Sequence, residues 1–128
     1  ESVTDQKNSL TVCLDNILRH AGITRNTEYD LAQGKTAIQI LEENMTGVQV
    51  LDLSGCSLDA VLYYVNQDIP VLAILEDGEA VLVTGFNEFN VVIMEPSTGK
   101  LYKKGMNDAT TWFAENGNHF ISYMKIDN

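Results

Sequence analysis

The sequence changes its periodicity near Pro70, and this change constrains the fold more than any other feature. Before Pro70, apolar residues recur at helical spacing in residues 9–22, 36–43 and 57–65. After Pro70, runs rich in valine, isoleucine and leucine alternate with turn signals, in residues 70–75, 80–86 and 91–95. Helices followed by strands predict an α+β domain, with N-terminal helices packed on a mostly antiparallel sheet.

Local signals predict where these elements begin and end. Ser9 is predicted to be the N-cap of the first helix, and Gly22 to follow its last residue. Ser57 is predicted to cap the helix of residues 58–65. The remaining predicted elements are strands at 48–53, 101–103 and 119–124 and a helix that Asn107 and Asp108 introduce.

The length of 128 residues and the mass of 14.2 kDa suit one hydrophobic core, so we predict a single domain over residues 1–128. The chain begins with Glu1 and lacks a basic segment followed by an apolar one. We therefore interpret it as a piece of a larger protein, with any export signal or anchor outside this sequence.

The net charge of −10 restricts the classes of partner. A polyanion gains nothing from counterion release, so nucleic acid is excluded as a partner, and an anionic membrane surface is disfavoured for the same reason. The longest apolar run, residues 69–75, is far shorter than the roughly 20 residues that cross a bilayer. Two histidines and two cysteines without clustered spacing predict neither a metal site nor a cofactor.

The two cysteines leave three possibilities open. Cys13 and Cys56 could form a disulfide, could both be buried thiols, or could be one reactive and one structural thiol. Cys13 lies early in the first predicted helix, where the positive end of the helix dipole stabilises a thiolate. This position makes Cys13 the candidate nucleophile of the chain.

Four segments together resemble a known family, the papain-like cysteine peptidases that remove bacteriocin leaders after a double glycine. These segments are SLTVCLDNILRHAGI at 9–23, GCSLDAVLYYVNQDIPVLAIL at 55–75, EAVLVTGFN at 79–87 and VVIMEPSTG at 91–99. The family pattern is a cysteine opening a helix, a helix followed by a proline strand, a strand of the form HxVVVxG and a strand ending in DPxxG. The resemblance implies a papain-like fold across nearly the whole chain.

The resemblance also implies which positions form the site. Cys13 falls at the nucleophile, Glu79 at the histidine, and Glu95 at the aspartate that orients the histidine. Gln6 is the approximate counterpart of the glutamine of the oxyanion hole, one residue too far from the cysteine, and Leu14 replaces the glycine that usually follows it.

These departures predict a catalytically degenerate site. An imidazolium holds the thiolate and later protonates the leaving amine, and a carboxylate at Glu79 does neither. Like-charge repulsion from Glu79 and Glu95 should raise the pKa of Cys13, so we expect a poor nucleophile. We therefore predict no peptidase activity and a module that binds a peptide or protein segment in a bacterial surface, secreted or transporter-associated protein.

Two alternatives belong to different functional classes. The first is an active cysteine peptidase in which Cys13 uses a non-standard base such as His119; His20 lies two helical turns from Cys13, outside hydrogen-bond reach. The second is a structural spacer with no ligand and no reactive thiol. The sequence does not specify an oligomeric state.

Overall fold

The helices and strands follow the periodicity of the sequence closely. The computed structural model describes residues 8–126, and these form five helices and six strands. In chain order these are α1 (Ser9–His20), α2 (Glu28–Ala32), α3 (Ala37–Asn44), β1 (Val48–Asp52), α4 (Leu58–Val65), β2 (Val71–Ile74), β3 (Ala80–Phe86), β4 (Asn90–Glu95), β5 (Lys100–Gly105), α5 (Met106–Glu115) and β6 (His119–Lys125). The predicted change from helices to a β-meander at Pro70 is confirmed.

The start of α1 differs from the prediction by one residue. Asn8 is the N-cap, and its side-chain oxygen accepts a hydrogen bond from the backbone N of Thr11 at 2.8 Å. The prediction of Ser9 as the N-cap is therefore wrong: Ser9 is the first residue of the helix, and its hydroxyl is free for another partner. Gly22 follows the end of α1 with φ of +87°, as predicted.

The junction of β5 and α5 also differs from the prediction. β5 pairs with β4 over all six of its residues, and α5 begins immediately afterwards at Met106. Gly105 is the N-cap and makes no side-chain capping bond, so the prediction that Asn107 and Asp108 introduce the helix is wrong. The β4–β5 ladder keeps the chain extended up to Gly105, two residues before Asn107, and Met106 N still donates to Phe89 O at 2.7 Å.

The six strands form one sheet in the order β1-β6-β2-β3-β4-β5, and every neighbouring pair is antiparallel. The last strand of the chain, β6, lies between β1 and β2. This insertion ties the C-terminal part of the chain to its N-terminal half.

Alternate residues of the strands face two hydrophobic clusters, one on each face of the sheet. Along β6, Phe120 packs in the cluster with α4 and α5, and Ile121 packs in the cluster with α1 and α3. Helices therefore cover both faces of the sheet. Within residues 8–126, no helix is long and apolar enough to span a bilayer.

The start of α1 lies at one end of this sheet. Ala80 begins β3, and its backbone N donates a hydrogen bond to the hydroxyl of Ser9. Glu95 is the last residue of the neighbouring strand β4 and lies at the same end of the sheet. The pairing of β3 with β4 and the hydrogen bond from Ala80 N to Ser9 Oγ thus bring together the start of α1, the start of β3 and the end of β4. The candidate site lies where they meet.

Candidate functional site

Ser9 connects the first turn of α1 to the beginning of β3. Its hydroxyl donates to Glu79 Oε1 at 2.8 Å and accepts a hydrogen bond from the backbone N of Ala80, also at 2.8 Å. The hydroxyl is available for both contacts because Asn8, rather than Ser9, caps the helix.

Glu79 lies in the hairpin between β2 and β3. The backbone of the hairpin is closed by Leu75 N donating to Glu79 O at 2.8 Å, and Asp77 Oδ1 accepts from Glu79 N at 2.9 Å. These bonds fix the residue immediately before β3, and its carboxylate extends to Ser9. Glu79 therefore contacts the first residue of the helix, not a residue deeper in it.

Cys13 lies one helical turn after Ser9, about 6 Å farther along the axis. The structure places it in the core beneath α1, with 0% of its surface exposed, among the apolar side chains of the α1–α3 cluster. Burial, and secondly the negative charge of Glu95, raise the pKa of the Cys13 thiol to about 12. The sequence predicted repulsion from both Glu79 and Glu95, but of the two Glu95 alone contributes, and enclosure in the core is the larger cause.

Glu95 is the last residue of β4 and lies at the same end of the sheet as the start of β3. Its Oε2 accepts a hydrogen bond from Ser97 Oγ at 2.9 Å, and a longer one from Ser97 N at 3.4 Å. Its charge acts on Cys13 and also raises the pKa of Tyr102, where burial is the larger cause. The carboxylate is thus close enough to disfavour the thiolate of Cys13.

Neither histidine is bonded to Cys13. His20, at the last residue of α1, has its Nε2 2.9 Å from the backbone oxygen of Asp68. His119 is exposed at the start of β6, paired with Ile74 of β2. A Cβ added at Gly117 would lie 2.6 Å from His119 Nε2, so the imidazole lies against the turn that precedes β6.

Gln6, the predicted counterpart of the oxyanion-hole glutamine, lies outside the described residues. Of the other predicted site residues, Glu95 acts electrostatically on Cys13, and Glu79 contacts Ser9. Sequence reasoning missed Ser9 because it assigned the hydroxyl to capping. Two adjacent residues with capping side chains, Asn8 and Ser9, were the signal that could have revealed it.

Both cysteines are free thiols. Cys13 belongs to the cluster on the α1 face, whereas Cys56 is partly buried against the cluster on the α4 face. The sheet separates them, which removes the disulfide from the possibilities left open by the sequence. Among the residues that the structure describes, no group of three or more histidine, cysteine or acidic side chains could hold a metal ion.

A groove runs along the sheet between α1 and β5, and we call it the α1–β5 groove. Its volume is about 360 Å³. The floor and walls include Leu82, Thr84, Met94, Asn16, His20 and Leu101. Apolar side chains supply most of the floor and polar side chains of α1 form one wall, a composition typical of sites that bind peptides or small molecules.

The chemistry of the Ser9–Glu79 contact differs from that of a cysteine and a histidine. At neutral pH a carboxylate carries no proton to give to a leaving amine, whereas an imidazole titrates near pH 6.5. The contact can hold the helix against the sheet and can accept a cationic or hydrogen-bonding group. It supplies no general acid.

Comparisons with known proteins agree with this description of the fold. No protein-family model and no curated protein matches the sequence. Among solved structures, a crystal structure described as that of a C39-like peptidase from Bacillus anthracis is similar with a TM-score of 0.77, over 97% of this chain and 91% of that chain. The two are 17% identical in sequence, so this likeness establishes the fold alone. The predicted papain-like cysteine peptidase fold and the α+β class are confirmed.

Proposed function

We propose that this chain is a peptidase-like domain without peptidase activity, which binds a peptide or protein segment. The single observation that carries the proposal is the hydrogen bond of 2.8 Å between Ser9 Oγ and Glu79 Oε1. It occupies the place where a helix start meets the residue before β3, the meeting point of nucleophile and base in the peptidases that the sequence resembles.

We infer that Ser9, rather than Cys13, stands at the position of the nucleophile. Ser9 is the first residue of α1 and touches Glu79, whereas Cys13 is enclosed one turn farther into the helix. A hydroxyl and a carboxylate replace a thiol and an imidazole, so both halves of the catalytic pair are absent from this position. The raised pKa of Cys13 disfavours its thiolate at neutral pH, which supports the proposal that Cys13 is not a nucleophile either.

The α1–β5 groove supports the binding half of the proposal. It lies beside α1, and Met94 on its floor directly precedes Glu95. An extended segment placed in it would pass over apolar floor residues and reach the polar side chains of α1. The resemblance and the acidic composition support a parent protein that is a bacterial surface protein, a secreted protein or a transporter-associated protein.

Cleavage and binding can be measured in the same sample. We expect a synthetic double-glycine leader peptide to remain intact after incubation with the purified chain, as measured by mass spectrometry. Binding should shift the NMR signals of groove residues such as Leu82 and Met94. Leu101→Glu should weaken binding, whereas Tyr63→Glu, at an exposed site on α4 at the other face of the sheet, should not.

Two outcomes would overturn the proposal. Cleavage that disappears in Cys13→Ser and in His119→Ala would establish the active peptidase that uses a non-standard base. If neither the leader peptide nor any member of a random peptide library bound the chain, the structural spacer would be the correct description.

The assignment of Ser9 has its own test. In a chain whose natural thiols are replaced by serine, Ser9→Cys with Glu79→His should create a thiol whose alkylation midpoint lies below the ordinary value of about 8.5, because an imidazolium stabilises the thiolate. Ser9→Cys alone is the matched control and should titrate higher, beside the carboxylate. Equal midpoints in the two variants would show that residues 9 and 79 do not form the old catalytic pair.

A further inference from the structure

We propose that the free edge of β5 binds an extended acidic peptide segment, which joins the sheet as a seventh strand. This inference deepens the proposed function and rests on it, because it names where the segment binds and what chemistry it has. Strand addition is a general mode of peptide recognition, in which backbone hydrogen bonds supply affinity and side chains supply specificity.

The edge of β5 offers unpaired backbone groups. β5 is the last strand in the order of the sheet, and no strand of residues 8–126 lies beyond it. The hydrogen bond from Met106 N to Phe89 O shows which residues of β5 bond to β4, since hydrogen-bonded residues alternate along an antiparallel pair. Counting back from Met106 by twos, the even-numbered residues of β5 bond to β4. The N–H and C=O groups of Leu101 and Lys103 therefore point away from the sheet.

The charge on this edge is opposite to that of the chain. Three of the eight basic residues lie in β5, in a protein with a net charge of −10. Lys104 lies over the ring of Trp112, 4.7 Å from its centroid. Lys100 and Lys103 are exposed, and within the described part of the chain neither has an acidic partner within 4.0 Å. Lys103 is thus available to a carboxylate of a partner, and Lys100 faces Glu95 in the β4–β5 register without forming an ion pair with it.

The same lysines exclude a second copy of β5 as the partner. Antiparallel pairing of two β5 edges would bring six lysines together, and like charges facing each other across strands are destabilising. Edge lysines are one of the devices by which proteins prevent such self-association. An acidic strand meets no such repulsion. The attraction between the β5 lysines and an acidic strand is weakened little by the negative charges elsewhere on the chain, because physiological salt screens charges that lie more than about 8 Å away.

Leu101 supplies an apolar contact next to the charges. Its side chain is 61% exposed and lies on the rim of the α1–β5 groove. Side chains alternate along a strand, so Leu101 and Lys103 share the groove face, and Lys100, Tyr102 and Lys104 share the other, where Lys104 lies over Trp112. An added strand would therefore meet one exposed lysine and one large apolar side chain on each face. A segment in which acidic and aliphatic residues alternate fits this pattern.

The test uses three labelled hexapeptides: alternating valine and glutamate, alternating valine and lysine, and the first peptide with alternate backbone nitrogens methylated. Fluorescence anisotropy should detect binding of the glutamate peptide alone, weakening as salt is raised. Hydrogen exchange followed by NMR should show new protection of the Leu101 and Lys103 amides. We expect Lys103→Glu to weaken binding by about tenfold, because it removes one attraction and adds one repulsion. Lys125→Glu, the same change of charge at the exposed end of β6, should leave binding unchanged.

Several results would overturn the proposal. These are equal binding of the lysine peptide, undiminished binding of the methylated peptide, or failure of the glutamate peptide to bind. Signal shifts confined to the α1–β5 groove, without protection of Leu101 and Lys103, would also refute pairing at the edge while leaving the chain a peptide-binding module. Failure of the wider peptide library as well would refute both proposals.

Discussion

Alkylation of Cys13 measures how completely the fold suppresses its chemistry. In a Cys56→Ser background Cys13 is the one thiol of the chain. Its pKa is raised from 9.0 to about 12, first by burial and then by the charge of Glu95. Only the thiolate reacts, and a rise of about three units lowers the thiolate fraction at pH 8 by about 1,000-fold.

We therefore expect the native Cys56→Ser variant to react with iodoacetamide at pH 8 at least about 1,000-fold more slowly than the same variant unfolded in urea. The unfolded sample is the matched control for the reagent, and mass spectrometry at intervals gives both rates. The Cys13→Ser variant retains the partly buried Cys56 and should react faster in the native state. A native rate for Cys13 within about tenfold of the unfolded rate, or a midpoint below pH 9, would refute its enclosure and indicate an activated nucleophile.

Three further predictions concern stability. Ser9→Ala leaves the N–H of Ala80 without its acceptor, and urea denaturation should show a loss of about 1–2 kcal/mol; a loss below about 0.5 kcal/mol would mean that the contact is incidental. Phe113→Ala should cost about 3–5 kcal/mol, because Phe113 is 1% exposed and packs on Phe120 with ring centroids 5.3 Å apart; an unchanged melting temperature would contradict this packing. The folded state raises the pKa of Cys13, so the protonated thiol is favoured by folding. Its stabilisation of the folded state is fully present below pH 9, and the free energy of unfolding falls as the pH rises toward 12. Relative to Cys13→Ala, the natural chain should lose up to about 4 kcal/mol over that range, and parallel pH profiles would refute the shift.

Periodicity predicted most of the fold because helices and strands here carry their apolar residues at the spacing their own geometry requires. The two wrong predictions of a helix start have one cause. At the start of α1, Asn8 and Ser9 both have side chains that can cap, and contact with the sheet decides between them. At the start of α5, pairing of β5 with β4 ends at Gly105, so the helix begins at Met106, before the local signal at Asn107 and Asp108. Both choices depend on residues distant in sequence.

The site was predicted less completely for the same reason. The resemblance directed attention to Cys13, Glu79 and Glu95, and the electrostatic effect of Glu95 on Cys13 was anticipated. The contact between Ser9 and Glu79 joins residues 70 apart in the sequence, and no local spacing indicates it. Burial of Cys13 is likewise a property of the packed helix, and it contributes more to the raised pKa than the carboxylate that the sequence identified.

The Ser9–Glu79 contact also shows how α1 is held to the start of β3 without an imidazole at residue 79. The bond that ties α1 to β3 is the one from Ala80 N to Ser9 Oγ, and it needs only a small polar acceptor at the helix start. The carboxylate of Glu79 then completes the hydroxyl's hydrogen bonding without an imidazole. Because the side chain of Asn8 caps α1, the hydroxyl of Ser9 is not needed to bond the backbone N–H groups at the start of the helix. Changing Glu79 to histidine alone would thus leave a hydroxyl at the helix start and an enclosed thiol one turn behind it, so a thiol in contact with the new imidazole requires the change at Ser9 as well.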